Sequence, residues 1–197
     1  MSNTIQTNKY NLSDGNRKEA LESFNEATLF DPKKAEAHYH LGWGCMLLNC
    51  YEEAIAAFKE AGRLDPNNVE TLRGLGYAYH DGGYDVEAIT TLKKVIDIDP
   101  GNDYVHTILG EAYYNLGAYQ KAISALRKAI QINPKDPCAH LNLGMAYWIT
   151  GDKPSARKEH KKLLALDKDH ANQLLKLFNT PLDFELNDIC NECLEKL

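Results

Sequence analysis

Residues 54–66 read AIAAFKEAGRLDP, and the same pattern returns at residues 88–100 as AITTLKKVIDIDP and at 122–134 as AISALRKAIQINP. A related copy, ALESFNEATLFDP, stands at residues 20–32. Each copy begins 34 residues after the preceding one and ends in Asp-Pro or Asn-Pro. Because proline cannot continue a helix, each stretch predicts a helix that ends just before its proline. A period of this length predicts a solenoid of repeated helical units.

The period also orders the residues between these stretches. With each proline as position 32 of its repeat, position 8 is always glycine and position 20 always alanine, whereas positions 7 and 24 are mostly large and apolar. Small residues let two antiparallel helices approach closely, and the large ones fill the space beside that contact. The helical hairpins are expected to turn at residues that tolerate the left-handed backbone conformation. These residues are Asn49, Gly83, Gly117 and Gly151.

This framework resembles the tetratricopeptide repeat family over roughly residues 15–170. The resemblance implies an all-α fold, a right-handed superhelical solenoid of antiparallel helix pairs. Its expected divisions are an irregular or disordered segment at 1–14, the solenoid at 15–170 and capping helices at 171–197. Within the solenoid we expect a half repeat at 15–34 and full repeats at 35–68, 69–102, 103–136 and 137–170.

The end of the array departs from the repeat pattern. In the last repeat, His160 replaces the large apolar residue at position 24, and Lys168 replaces the proline. Beyond it, residues 172–178 and 183–197 have the apolar spacing of two helices. A solenoid needs end caps over its last apolar face, so we expect these two helices to form the C-terminal cap. The N-terminal end looks less well covered.

Composition restricts the classes of partner. The chain has 197 residues, a formal net charge of −6 and a pI near 5.6, which disfavours nucleic acid and anionic lipid as main partners. No apolar stretch is long enough to span a membrane, and residues 1–10 lack the apolar core of a signal peptide. Five irregularly placed cysteines fit a reducing compartment better than a disulfide framework. We therefore expect a cytoplasmic protein.

Candidate sites for chemistry have simpler structural explanations. His38, His106 and His140 all fall at position 4, where the remaining full repeat has leucine, so they are expected to pack rather than to bind a metal. The CxxC formed by Cys190 and Cys193 lacks the second pair of a zinc ribbon and the βαβ setting of a redox motif. No catalytic arrangement can be inferred from a repeat array. The sequence predicts no enzyme, no cofactor and no metal.

The family resemblance implies a binding surface. In tetratricopeptide proteins, positions 2, 5, 9, 12 and 13 of the first helix of each repeat line the concave side, and here they are unusually aromatic. Exposed aromatic residues dominate binding hot spots, which predicts a groove for a partner. The alternative is that some of them pack on neighbouring repeats and that the C-terminal cap covers Trp148. The candidate groove residues are Tyr39, Trp43, Met46, Arg73, Tyr77, His80, Tyr104, Glu111, Tyr114 and Trp148.

The predicted function is therefore that of a non-catalytic adaptor that binds a protein or peptide segment along this groove. The Lys and Asn clamp by which some tetratricopeptide co-chaperones hold a chaperone tail is absent, since Tyr39 and Trp43 stand at its first two positions. The alternative is a structural module that self-associates through the ends of the solenoid, as a homo-oligomer. A metal or redox role of Cys190 and Cys193 is the third hypothesis.

Overall fold

The computed structural model describes residues 28–179, together with positions 22 and 26. Within this part of the chain, regular structure is α-helical and no strand occurs. The helices are α1 (Ala35–Leu47), α2 (Tyr51–Leu64), α3 (Val69–Asp81), α4 (Asp85–Ile98), α5 (Asp103–Asn115), α6 (Tyr119–Ile132), α7 (Pro137–Ile149), α8 (Lys153–Leu166) and α9 (Lys168–Asn179). The predicted segment 1–14, most of the half repeat and residues 183–197 lie outside the described residues. The predicted helix at 172–178 lies within α9.

The chain divides into two compact units, Met1–Lys94 and Val95–Leu197, with the boundary inside α4. In the first unit, α2 packs against both α1 and α3. In the second, α5 pairs with α6 and α7 with α8, while α9 packs against α7 and α8. Each unit is therefore built from the antiparallel helix pairs that the sequence predicts.

The hairpin turns have the backbone conformation expected from their residues. Gly83, Gly117 and Gly151 have φ of 82°, 72° and 82°, and Asn49 has φ of 59° at the equivalent turn. Among the described residues, Asn49 is the one non-glycine with positive φ. Its side-chain oxygen accepts a hydrogen bond from the Tyr51 hydroxyl at 2.9 Å. Asparagine tolerates this left-handed backbone conformation better than most residues do, and the hydrogen bond forms within the same turn.

Glycine on one helix makes room for a large side chain on another. In the first unit, the fully buried Phe58 lies between Gly42 and Gly74, and a Cβ at either glycine would come within 2.8 Å of the Phe58 ring. In the second unit, Leu126 covers Gly110 in the same way, at 2.5 Å from an added Cβ. Because a side chain at these positions would separate the helices, the glycines allow the close packing that the repeat pattern predicts.

The position-4 histidines tie their helices to the preceding loop. The Nε2 atoms of His38, His106 and His140 lie 3.0, 3.1 and 2.9 Å from the backbone oxygens of Pro32, Pro100 and Pro134, six residues earlier in each case. When that nitrogen carries the proton, it donates a hydrogen bond to the carbonyl. These side chains therefore connect the proline turn to the helix that follows it, which gives them a structural role.

Candidate partner-binding surface

Four aromatic side chains form a connected cluster in the first unit. The Trp43 ring lies 6.3 Å from that of Tyr39, 5.5 Å from that of Phe58 and 6.4 Å from that of Tyr77, in edge-to-face orientations. Tyr39 also contacts Phe58, at 6.1 Å between ring centroids. Such pairs contribute about 0.5–1.5 kcal/mol beyond the area they bury. The cluster therefore holds the two half-buried rings, Tyr39 and Trp43, in fixed orientations at the surface.

The expectation that all the candidate aromatics face solvent is wrong for two of them, and a third candidate is buried as well. Tyr77, His80 and Trp148 are 8%, 8% and 6% exposed, because neighbouring helices and turns cover them. Tyr77 packs against Trp43 within the aromatic cluster. A partner role for these three residues stays a prediction. Because they are buried, they would contribute mainly by holding the neighbouring side chains that a partner contacts.

His80 is part of a buried polar pair. Its Nδ1 atom lies 2.7 Å from an Asp85 carboxylate oxygen, and both side chains are almost fully covered. Asp85 is the first residue of α4 and His80 lies in the last turn of α3, so the pair fixes the turn between these helices. This contact explains why a polar residue is buried at a position that the repeat framework leaves free.

Two further candidates of the first unit remain partly accessible. Met46 is half-buried and packs against the cluster that contains Cys45 and Phe58. Arg73 is also half-buried, and its guanidinium is paired with the Glu70 carboxylate one turn earlier. Together with Tyr39 and Trp43, they form a surface that is mostly apolar and aromatic with one charged pair. We call these four residues the Trp43 surface.

In the second unit, the candidates are held by polar contacts and by burial. Glu111 accepts a hydrogen bond from the Asn142 side chain at 2.5 Å, which joins α5 to α7. The Tyr114 ring lies 5.3 Å from that of Tyr119, and burial raises the pKa of its hydroxyl to about 12. Tyr104 is half-buried near the start of α5. These three side chains are partly accessible, so the second unit also keeps part of the predicted surface.

Trp148 is covered by α9, as the alternative interpretation of the sequence expected. The Phe178 ring lies 4.4 Å from the Trp148 ring and 5.7 Å from the His160 ring, and the Lys153 ammonium lies 5.1 Å above Trp148. Trp148 Nε1 is buried without a hydrogen-bond partner among the described residues. In the described structure, Trp148 is therefore a packing residue beneath α9.

A buried pair of His140 and Glu159, joined by the exposed Lys162, was not foreseen from the sequence. His140 Nδ1 lies 2.6 Å from a Glu159 carboxylate oxygen, and the Lys162 ammonium donates to the same carboxylate at 3.1 and 3.2 Å. The hydrogen bond with Glu159 raises the pKa of His140, against the opposing effect of burial. Burial by itself would raise the pKa of Glu159, but hydrogen bonds from His140 and Lys162 hold it below its usual value.

Two of the described cysteines, Cys45 and Cys138, have the properties of packing residues. Burial raises the pKa of the Cys45 thiol to about 11, and burial with nearby carboxylates does the same for Cys138. A thiol with such a pKa stays protonated near neutral pH and is a poor nucleophile and metal ligand. Cys190 and Cys193 lie outside the described residues, so their metal or redox role stays a hypothesis. Metal analysis of protein purified without chelators would test it.

No described helix could span a membrane. The longest have 14 residues, and none combines the length and the apolar character needed to cross a bilayer.

Paired antiparallel helices, glycine at the close contacts and positive φ at the hairpin turns define a helical-repeat protein of the solenoid class. Family models described as tetratricopeptide repeat match residues 35–68 and 73–102, and one described as TPR repeat matches residues 110–151. The chain belongs to the tetratricopeptide repeat family, and its fold is the all-α solenoid of that family. No curated protein matches the sequence.

Solved structures of the same fold include MamA and YrrB. A crystal structure of MamA is 28% identical, with a TM-score of 0.72, and the match covers 80% of this chain and 92% of that one. MamA from Desulfovibrio magneticus RS-1 is 24% identical with a TM-score of 0.74, over 79% and 88% of the two chains. YrrB, described as a TPR protein with an unusual peptide-binding site, is 21% identical with a TM-score of 0.70, over 82% and 84%. Family and neighbours together support a protein-interaction scaffold.

Proposed function

We propose that this protein is a non-catalytic adaptor that binds a protein or peptide segment on the Trp43 surface. The observation that carries the proposal is the orientation of Trp43, which is half-buried and held edge-to-face by Tyr39, Phe58 and Tyr77. A ring that is already ordered loses little conformational entropy when a partner covers it, so its remaining apolar area contributes to affinity.

The character of the surface suggests what it would bind. Tyr39, Trp43 and Met46 offer apolar area, and the paired Arg73 and Glu70 offer one hydrogen-bonding group of each sign. A segment with apolar or aromatic side chains and few charges fits this surface best. In the second unit, Tyr104, Glu111 and Tyr114 offer a surface of similar character. Peptide binding by YrrB, a protein of the same fold, agrees with this function.

Site-specific photo-crosslinking would test the proposal. A photoreactive phenylalanine would replace Tyr39 in one protein and, as the control, the exposed Lys59 of α2 in another. We expect a partner from the source lysate to be crosslinked from position 39 and not from position 59. Equal crosslinking from both positions would contradict binding at the Trp43 surface.

A matched pair of substitutions separates binding from stability. Trp43→Ala removes accessible ring area, whereas Phe58→Leu changes the same cluster at a fully buried side chain. We expect Trp43→Ala to weaken capture of the crosslinked partner at least tenfold and Phe58→Leu to leave it nearly unchanged. Circular dichroism would verify that both variants are folded. An equal loss of partner capture in both variants would mean that destabilisation, and not the loss of accessible ring area, is the cause.

Self-association is the second candidate function. Leu164 on α8 and Leu175 on α9 are 50% and 42% exposed, and these two helices pack against each other. If they form a contact between copies, wild-type protein sediments as an oligomer and the double variant Leu164→Glu, Leu175→Glu sediments as a monomer. A monomeric wild type at high concentration would remove this candidate.

A further inference from the structure

The second unit contains a strongly basic segment within an acidic chain. Residues 119–166, which include α6, α7 and α8, contain nine Lys or Arg residues and three Asp or Glu residues. Their formal net charge is therefore +6, whereas that of the whole chain is −6. Five of these cations lie on α8. The overall negative charge of the chain would not predict an acidic partner. This segment nevertheless carries a local charge of the opposite sign.

The three carboxylates of this segment are engaged in local structure. Asp136 and Asp152 accept hydrogen bonds from backbone N–H groups at the starts of α7 and α8, and Glu159 is buried against His140 and Lys162. By contrast, Arg157, Lys158 and Lys161 are exposed, and no described carboxylate pairs with them. Their charges are therefore available to a partner.

A depression lies beside these cations, between the C-terminal halves of α6 and α8. Its volume is about 310 Å³, and most of its lining is apolar. Lys162 forms part of its wall, and Lys158 lies one turn earlier on the same side of α8. We call it the α6–α8 depression. Its lining residues are Ile130, Pro134, His140, Lys162, Ala165 and Leu166.

We propose that the α6–α8 depression is a second docking site, which receives an acidic protein segment. One large apolar side chain of the segment enters the depression between Ile130 and Ala165, and a carboxylate beside it pairs with Lys158, one turn before Lys162 on α8. This site lies on different helices from the Trp43 surface, so the protein holds two partners, or two parts of one partner, by different chemistry.

The lining favours a protein segment over other anionic ligands. Nucleic-acid sites without sequence preference combine cations with aromatic rings on which bases stack, and no Phe, Tyr or Trp lines this depression. Its apolar wall instead fits an aliphatic or aromatic side chain. The nearby cations lie on α8, at one side of the depression, where they would meet carboxylates that neighbour that side chain in the bound segment. The pairing is electrostatic and exposed, so the interaction weakens as salt rises.

Fluorescence anisotropy with the full-length protein tests the proposal. The probe is a labelled synthetic peptide of about 12 residues, with glutamates around a central Leu-Phe pair. A control peptide has the same glutamates and serines in place of Leu-Phe. We expect the first peptide to bind at least tenfold more tightly. Equal binding would show attraction by charge alone and would overturn the docking site.

Three variants locate the binding. Lys158→Glu reverses a charge at the depression, and Ala165→Trp fills the depression from an exposed position, so neither change disturbs a buried contact. We expect each to weaken the Leu-Phe peptide about tenfold, while the control Lys94→Glu on α4 changes its affinity less than twofold. Unchanged binding in Ala165→Trp, or tighter binding of single-stranded RNA or anionic vesicles than of the peptide, would overturn the proposal.

Discussion

Leu174 of α9 covers Gly144 of α7, and it thereby takes the place that a side chain of the same repeat has elsewhere in the chain. In the preceding repeat, Leu126 of α6 covers the equivalent glycine, Gly110. The last repeat has His160 at the position of Leu126, and His160 turns to the Phe178 ring instead. The capping helix therefore supplies the apolar group that the last repeat lacks, and α9 is an integral part of the second unit.

The first prediction concerns this contact. Leu174→Ala removes a fully buried side chain and leaves a cavity above Gly144, so we expect it to lower the free energy of unfolding by about 2–5 kcal/mol. Leu175→Ala, on the same helix but 42% exposed, should change it by less than about 0.5 kcal/mol. Urea denaturation followed by circular dichroism measures both. Equal effects would mean that α9 does not contribute to the core.

The second prediction contrasts two glycines on neighbouring helices, Gly74 of α3 and Gly62 of α2. An added Cβ at Gly74 would lie 2.6 Å from the Phe58 ring, so Gly74→Ala should lower the free energy of unfolding by about 1–3 kcal/mol. An added Cβ at Gly62, inside α2, meets its nearest neighbour at an ordinary 3.7 Å. Gly62→Ala should therefore raise stability by about 0.5–1 kcal/mol, because alanine favours the helix. Chemical denaturation measures the change in the free energy of unfolding for each variant. A change of the same sign in both variants would refute the packing argument.

The third prediction concerns pH and the pair of His140 and Glu159. The pKa of His140 is raised above 6.5, so its contribution is fully present below pH 6.5 and is lost as the pH rises through the folded-state value. The pKa of Glu159 is lowered below 4.5, so its contribution is present above pH 4.5 and is lost as the pH falls through the folded-state value. The pair therefore stabilises the protein most between these limits.

Unfolding free energies measured from pH 4 to pH 9 test this pair. Removing one member leaves the other buried and unpaired, so we expect His140→Gln to cost about 3 kcal/mol near pH 6 and less near pH 9. The comparison variant His106→Gln removes a hydrogen bond to the Pro100 carbonyl, and no described carboxylate pairs with the His106 ring, so it should cost about 1 kcal/mol. A difference between wild type and His140→Gln that stays constant over this range would contradict the charged pair.

The fourth prediction isolates backbone conformation from packing. Gly151 has φ of 82°, and an added Cβ there would meet no atom within 4 Å. Gly151→Ala should therefore cost about 1–2 kcal/mol through backbone strain alone. Gly151→Asn should cost less, because asparagine already holds the equivalent turn at Asn49. Thermal unfolding of the two variants would show the order, and equal stability of Gly151→Ala and wild type would contradict the strain.

Much of the fold could be predicted because its signals are local or periodic. Proline ends a helix by its own covalent structure, and Gly83, Gly117 and Gly151 turn where positive φ is required. The 34-residue spacing then relates each element to its equivalent. The candidate surface was less predictable. Trp43 and Tyr77 both stand at position 9, yet Trp43 is half-buried and Tyr77 is buried.

The sequence by itself determined the repeat period, the helix pairs, the turns and the family, because these follow from the conformational preferences of single residues and from their spacing. Only the tertiary structure decided that His140 pairs with Glu159, that Leu174 fills the space at Gly144, and that Phe178 covers Trp148. Burial and ion pairing depend on which side chains of other helices lie nearby. Residues at the same repeat position therefore have different surroundings in α7, where Leu174 and Phe178 of α9 take the neighbouring positions.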